Sequence, residues 1–253
     1  MCDEAIFQVQ TRTVPGRPVQ VLAADLRPNV ESRGSGLVVV AVSGTPPTEH
    51  RKLVLFPSEP VSNATRAAPV TVEVTPDIVA FDCGAIDSAP GTELVLLSAS
   101  ELRILQPFTD NEPRVIPLRP PLPLPPRARE LSRLPFLGNW SGRGVLEALI
   151  PTLNGAELLS FDEEERKALP LPLLAEYLTP DERPPAYHDF LSSTITWPTL
   201  AQGDNNGDGR PDLFALSRFA VWIYQTDAKG LADAPSYRSG LRLFSPAEEL
   251  RHR

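Results

Sequence analysis

Gly203-Asp204-Asn205-Asn206-Gly207-Asp208-Gly209-Arg210-Pro211-Asp212-Leu213-Phe214-Ala215-Leu216 sets a run of oxygen-bearing side chains directly before an apolar segment. Counted from Asp204, the side chains at positions 1, 3, 5 and 9 are Asp204, Asn206, Asp208 and Asp212, with Gly207 and Gly209 between them. Alternate residues of such a loop point inward, glycine allows the sharp turn, and the carbonyl of Arg210 falls at position 7. Three carboxylates and an amide oxygen suit Ca²⁺, which takes about 6–8 oxygens in flexible geometry, better than Mg²⁺, which holds to a strict octahedron and keeps its waters. The expected metal ligands are therefore Asp204, Asn206, Asp208, Arg210 and Asp212.

An EF-hand shares the first half of this pattern but needs a bidentate Glu at position 12 and a helix on each side. Position 12 is Ala215, within the apolar run Leu213 to Leu216, and after a turn the chain continues as Phe219-Ala220-Val221-Trp222-Ile223-Tyr224. Branched and aromatic residues in short runs read as strands. A plain polar hairpin is the other reading, since Asn-Gly and Asp-Gly are common turn dipeptides. That reading requires neither Asp204 nor Asp212.

The chain of 253 residues is long enough for a full core, as one large all-β domain or two small ones. Its 29 prolines fall mostly between the apolar runs, where they end elements rather than interrupt them. A net charge of −8 argues against a nucleic-acid backbone as partner. No apolar run approaches the roughly 18 residues that cross a bilayer, so no transmembrane segment is expected. The start Met1-Cys2-Asp3-Glu4 carries no signal-peptide pattern. Either the protein is cytosolic, or a leader was removed and Cys2 is a site for a lipid anchor. A calcium loop favours an extracytoplasmic setting, because calcium is abundant there. Cys2 and Cys83 are candidates for a disulfide, with a lone buried thiol at Cys83 as the alternative.

Four segments repeat the same pattern of four short apolar runs. They cover about 18–75, 76–117, 130–170 and 198–246. Leu37, Leu94, Leu146 and Leu213 mark the start of each second run, at a period of about 50–70 residues. The second run is almost wholly apolar, as for a strand covered on both faces. Four-stranded units at such a period predict an all-β fold, a β-propeller with about four blades, either a four-bladed ring or part of a larger one. The run Ala5 to Gln10 is a candidate for the strand that closes the ring.

Gly203 to Leu213, with Phe219 to Tyr224 after it, resembles a blade of the FG-GAP/VCBS type, the family that includes the integrin α-subunit propeller and many bacterial secreted proteins. In that family Asp-x-Asn-x-Asp-Gly-x-x-Asp-Leu joins the first two strands of a blade and holds Ca²⁺. The resemblance is specific in the fourth unit. The second keeps Asp82, Asp87 and Glu93 at irregular spacing, the third has Gly138 to Gly144 without a carboxylate, and the first has Asp25 and a longer loop. It implies a calcium-stabilised, extracytoplasmic binding or adhesion scaffold, with a protein or carbohydrate ligand on the propeller face.

Pro117 to Arg127 reads as a stiff polyproline connector rather than an SH3 ligand, since no P-x-x-P has a basic residue in register. Asp162 to Glu165 reads as a solvated hairpin tip, and Asn63-Ala64-Thr65 and Asn139-Trp140-Ser141 as glycosylation sequons. The segment 170–198 is an insert whose Tyr187, His188 and Asp189 form the one proton-transfer cluster. No nucleophile elbow, P-loop or dinucleotide fingerprint is present. Catalysis is therefore unsupported. A propeller hydrolase or lyase acting on polysaccharide or peptide is the alternative function, and a fragment of a larger surface protein is another.

Overall fold

Four antiparallel sheets succeed one another along the chain. The structure is a computed structural model and describes residues 11–28, 35–45, 48–58, 68–87, 91–119, 131–152, 155–162, 166–169, 199–216 and 220–240. The first sheet contains β1 (Arg17–Ala24), β2 (Gly36–Ser43), β3 (His50–Phe56) and β4 (Val70–Val74), in that spatial order. The second has β5 (Ile78–Gly84), β6 (Glu93–Ser98), β7 (Glu101–Leu105) and β8 (Arg114–Pro117), with β9 (Ser132–Arg133) added in parallel beside β5. The third has β10 (Leu137–Gly138), β11 (Glu147–Thr152), β12 (Gly155–Ser160) and β13 (Arg166–Leu169). The fourth has β14 (Thr199–Gly203), β15 (Asp212–Leu216) and β16 (Ala220–Tyr224). A small hairpin of β17 (Thr226–Asp227) and β18 (Gly230–Leu231) then leads to its last strand, β19 (Tyr237–Gly240). No helix occurs among the described residues.

The sheets stack face on face, and strand alternation dictates which side chains meet. Along β2, Val38 and Val40 turn toward the second sheet and share a core with Leu94 and Leu96 of β6. Val95 and Leu97 point the other way and meet Ala148 and Ile150 of β11. Leu149 of β11 then packs with Leu213 and Ala215 of β15. A strand covered on both sides has no polar face to keep, so β6 is buried at every position. Outer strands keep the alternation, as in β7, where Leu102 and Ile104 are buried and their neighbours are partly exposed. Among the described residues no buried cluster joins the fourth sheet to the first.

The expected all-β class and four-stranded units are present, with three differences of detail. The first strand of the third unit is only Leu137–Gly138, although the apolar run of this unit starts at Leu134. Before it, Leu134 N–H donates to Phe81 O, while Phe136 O accepts from Leu149 N–H. This segment is thus handed from the second sheet to the third across Pro135. The last strand of the fourth unit includes Tyr237–Gly240 and is reached through the β17–β18 hairpin, which the apolar pattern does not announce. Finally, Leu146 is not the counterpart of Leu94 and Leu213. Glu93, Glu147 and Asp212 each begin the second strand, so the equivalent of Leu94 and Leu213 is Ala148. The offset of two residues preserves the face, which is why apolar pattern alone does not reveal it.

Pro117 ends β8 and Leu118 is buried, so the proline-rich connector begins later than its composition implies. The remainder of that connector from Pro120, Ala5 to Gln10, Cys2, the sequon at Asn63, Glu163 to Glu165, the insert 170–198 with Tyr187, His188 and Asp189, and Leu241 to Phe244 lie outside the described residues.

Candidate functional site

The loop from Asp204 to Pro211 links β14 to β15, and its backbone is tied to its own carboxylates. Asp204 Oδ1 accepts from the N–H groups of Gly207 (2.7 Å) and Asp208 (3.2 Å), and Oδ2 accepts from Gly209 N–H at 2.8 Å. These amides, the Gly209 one foremost, hold the Asp204 carboxyl below the usual carboxylate range. Asn206 Oδ1 accepts from Asp208 N–H at 2.9 Å, and Asp208 Oδ1 accepts from Arg210 N–H at 2.9 Å. Gly207 and Gly209 sit at φ 78° and 81°, the left-handed region that glycine enters without cost from a Cβ.

Asp204, Asn206 and Asp208 thus lie on one exposed turn, while Asp212 is fully buried at its end. Asp212 Oδ2 accepts from Asn205 N–H (3.0 Å) and Oδ1 from Thr226 N–H (2.8 Å), so this side chain pins the loop to β17. The donor set is one that Ca²⁺ takes. Each carboxylate oxygen has a second lone pair beyond those the amides use. Among the described residues no three His, Cys, Asp or Glu side chains already converge as a metal group. If the loop holds Ca²⁺, Asp204, Asn206, Asp208, the Arg210 carbonyl and Asp212 are the residues to hold it.

A loop of the same length, closed by a glycine opposite a buried acid, occurs in three of the sheets. Gly84 pairs with Glu93, Gly138 with Glu147, and Gly203 with Asp212, at the end of the first strand in each sheet. The intervening loops are equal in length. In each, the acid is buried and accepts a backbone N–H from early in its loop: Ile86 to Glu93 Oε2 at 2.9 Å, Ser141 to Glu147 Oε2 at 2.8 Å, and Asn205 to Asp212 Oδ2 at 3.0 Å. The second loop's spacing is therefore regular, and the third loop does close on a carboxylate. The first sheet departs: Gly36 stands opposite Ala24, and a Cβ there would lie 2.4 Å from Phe56 O. The signal for this device is the recurring Gly-to-acid interval, which ligand counting overlooks.

The third loop matches the fourth closely. Gly142 and Gly144 adopt φ 74° and 84°, as Gly207 and Gly209 do. Asn139 Oδ1 accepts from Gly144 N–H at 2.8 Å, the counterpart of the Asp204–Gly209 bond. Arg143 stands at the position of Asp208, and its Nη2 donates to Glu147 Oε1 at 2.7 Å. Asn139 is thus engaged within its loop and Trp140 of the same sequon is buried.

Asp82 does not belong to the second loop. It lies within β5, where Oδ1 accepts from Cys83 N–H and Arg133 Nε, and Oδ2 from Leu137 N–H. Burial raises its pKa against the pull of these donors. Cys83 is a free thiol pushed up to about 12 by burial and then by Asp82, a setting that suppresses the thiolate.

The chain matches no family model and no curated protein.

Proposed function

We propose that the chain is a β-propeller-type binding scaffold of the FG-GAP/VCBS kind, working outside the cytoplasm, in which the Asp204–Asp212 loop holds Ca²⁺. The observation that carries this reading is the loop itself. Asp204, Asn206 and Asp208 share one exposed turn, two left-handed glycines shape it, and the buried Asp212 anchors it. The ion would fix the mutual position of β14, β15 and the β17–β18 hairpin. Four stacked four-stranded sheets are compatible with propeller blades.

The loops joining first and second strands touch the loop or the first strand of the next sheet, which supports a common loop-bearing face for a protein or carbohydrate ligand. Arg27 N–H reaches Thr92 Oγ1 at 3.2 Å, and Asn139 N–H reaches Gln202 Oε1 at 3.2 Å. Thermal unfolding with Ca²⁺, with Mg²⁺ and with chelator tests the reading. A ligand that binds only the folded state stabilises by mass action. Tm should therefore rise with Ca²⁺ more than with Mg²⁺, and Asp208→Ala should remove most of the rise. An absence of any calcium-dependent shift would reduce the loop to a polar turn.

A further inference from the structure

A cavity of about 240 Å³ opens between the third sheet and the β17–β18 hairpin. Its wall on the third sheet is set by register. Glu147 pairs with Ser160 and Leu158 with Lys167, and these four lie on the one face of the sheet that looks toward the fourth. Arg143 and Lys229 also line it, with the buried Leu158 and Leu231 as an apolar floor.

The charge in this cavity runs against that of the chain. The overall net charge is −8, yet among the described residues three cationic side chains meet here with a single carboxylate, and that carboxylate is already joined to Arg143. Among the described residues Lys167 and Lys229 have neither a carboxylate nor a hydrogen-bond partner for their ammonium groups. Both are exposed at the rim. Two exposed ammonium groups, a hydroxyl from Ser160 and a small apolar floor form the lining of a site for a compact anion. Pockets for drug-sized ligands run about 300–1,000 Å³, so this one suits something smaller.

We propose that this cavity binds a small organic anion of about monosaccharide size, held through a carboxylate or phosphate group by Lys167 and Lys229 with Arg143 beside them. No lining residue belongs to the Asp204–Asp212 loop, so the proposal stands whether or not that loop holds calcium.

Calorimetric titration of the whole chain with glucuronate, glucose 6-phosphate and neutral glucose tests it. One or both anions should bind saturably, more weakly as salt is added, while glucose should not bind. Glucuronate alone binding would identify a carboxylate site, and glucose 6-phosphate alone a phosphate site. Lys167→Gln/Lys229→Gln should weaken binding by about tenfold or more, the scale of losing charged hydrogen bonds. Its Tm should be unchanged, because both side chains are exposed. Lys229→Arg should retain binding. The proposal fails if neither anion binds saturably, if glucose binds equally well, or if the double lysine variant binds like the parent.

Discussion

Arg133 Nε donates to Asp82 Oδ1 at 3.1 Å, and this one pair ties three sheets together. Arg133 Nη1 also reaches Ala23 O of β1 at 3.1 Å, while Asp82 Oδ2 accepts from Leu137 N–H of β10 at 3.1 Å. The Asp82 side chain is 3% exposed and that of Arg133 32% exposed. Removing Arg133 therefore strands a buried carboxylate. Breaking a fully buried pair costs roughly 3–5 kcal/mol. With Arg133 partly in water, Arg133→Ala should cost about 2–3 kcal/mol in urea unfolding. Asp82→Asn, which keeps an acceptor for Leu137 and removes the buried charge, should cost less. In a double-mutant cycle the second change should add little to Arg133→Ala. Simple additivity would mean the pair is not coupled.

Two buried acids give stability a definite dependence on pH. Glu93 is raised chiefly by burial, against the N–H of Ile86, and Asp82 is raised for the same cause. A folded-state pKa above the unfolded value means that the native state binds the proton more tightly. The contribution is therefore fully present below the unfolded values of about 4, and it is lost as pH rises through the folded values. Glu93→Gln can still accept from Ile86 but carries no charge. Its stability relative to the parent should improve steadily from acid to neutral pH, measured by urea unfolding at each pH. A flat difference would remove Glu93 from the titration.

Three first strands end in glycine, but not with equal need. A Cβ on Gly138 would lie 2.6 Å from the Trp140 ring, which is buried and held by Nε1 donating to Phe136 O at 3.0 Å. At Gly84 the nearest atom is the mobile tip of Leu146, also at 2.6 Å, and at Gly203 the Phe214 ring edge is at 3.3 Å. Overpacking typically costs about 1–3 kcal/mol. Gly138→Ala should fall in that range, and Gly84→Ala and Gly203→Ala should cost less. Thermal melts of the three variants would give the order.

The fold was legible wherever both faces of a strand are buried. Val38 to Val42 and Leu94 to Leu97 read as central strands from composition alone, because two covered faces leave no room for polar residues. Short or edge segments carried less signal. Ser132–Arg133 is a strand only because it lies beside β5, a tertiary fact with no local periodicity. The fourth-unit loop stood out because all its ligand types are present together. Its counterparts in the second and third sheets did not, because Ala85 and Ala89 stand where the fourth loop has Asp204 and Asp208, and Arg143 stands in the third loop where the fourth has Asp208. What persists in them is an acid opposite a glycine, and one carboxylate in a strand is ordinary until the pairing register is known. The cavity beside Lys229 was not legible at all, since it depends on how β17–β18 meets the third sheet.

The third loop offers the sharpest test of how these loops work. It shares the left-handed glycines and the N–H to side-chain oxygen bond of the fourth, yet has Arg143 where the fourth has Asp208. The guanidinium meets buried Glu147, so a covalently attached cation stands at a loop position where the fourth loop has a carboxylate. If that is the reason the frame survives without counterparts of the Asp204 and Asp208 carboxylates, removing the arginine should expose a need for external charge. In chelator, Asn139→Asp/Arg143→Asp should be less stable than the parent by about 1–3 kcal/mol, as Glu147 loses its charged hydrogen bond. Added Ca²⁺ should restore much of that loss, and calorimetry should find one more calcium bound than in the parent. A variant destabilised to the same extent with and without Ca²⁺ would mean that the two loops share a backbone shape and not a binding chemistry.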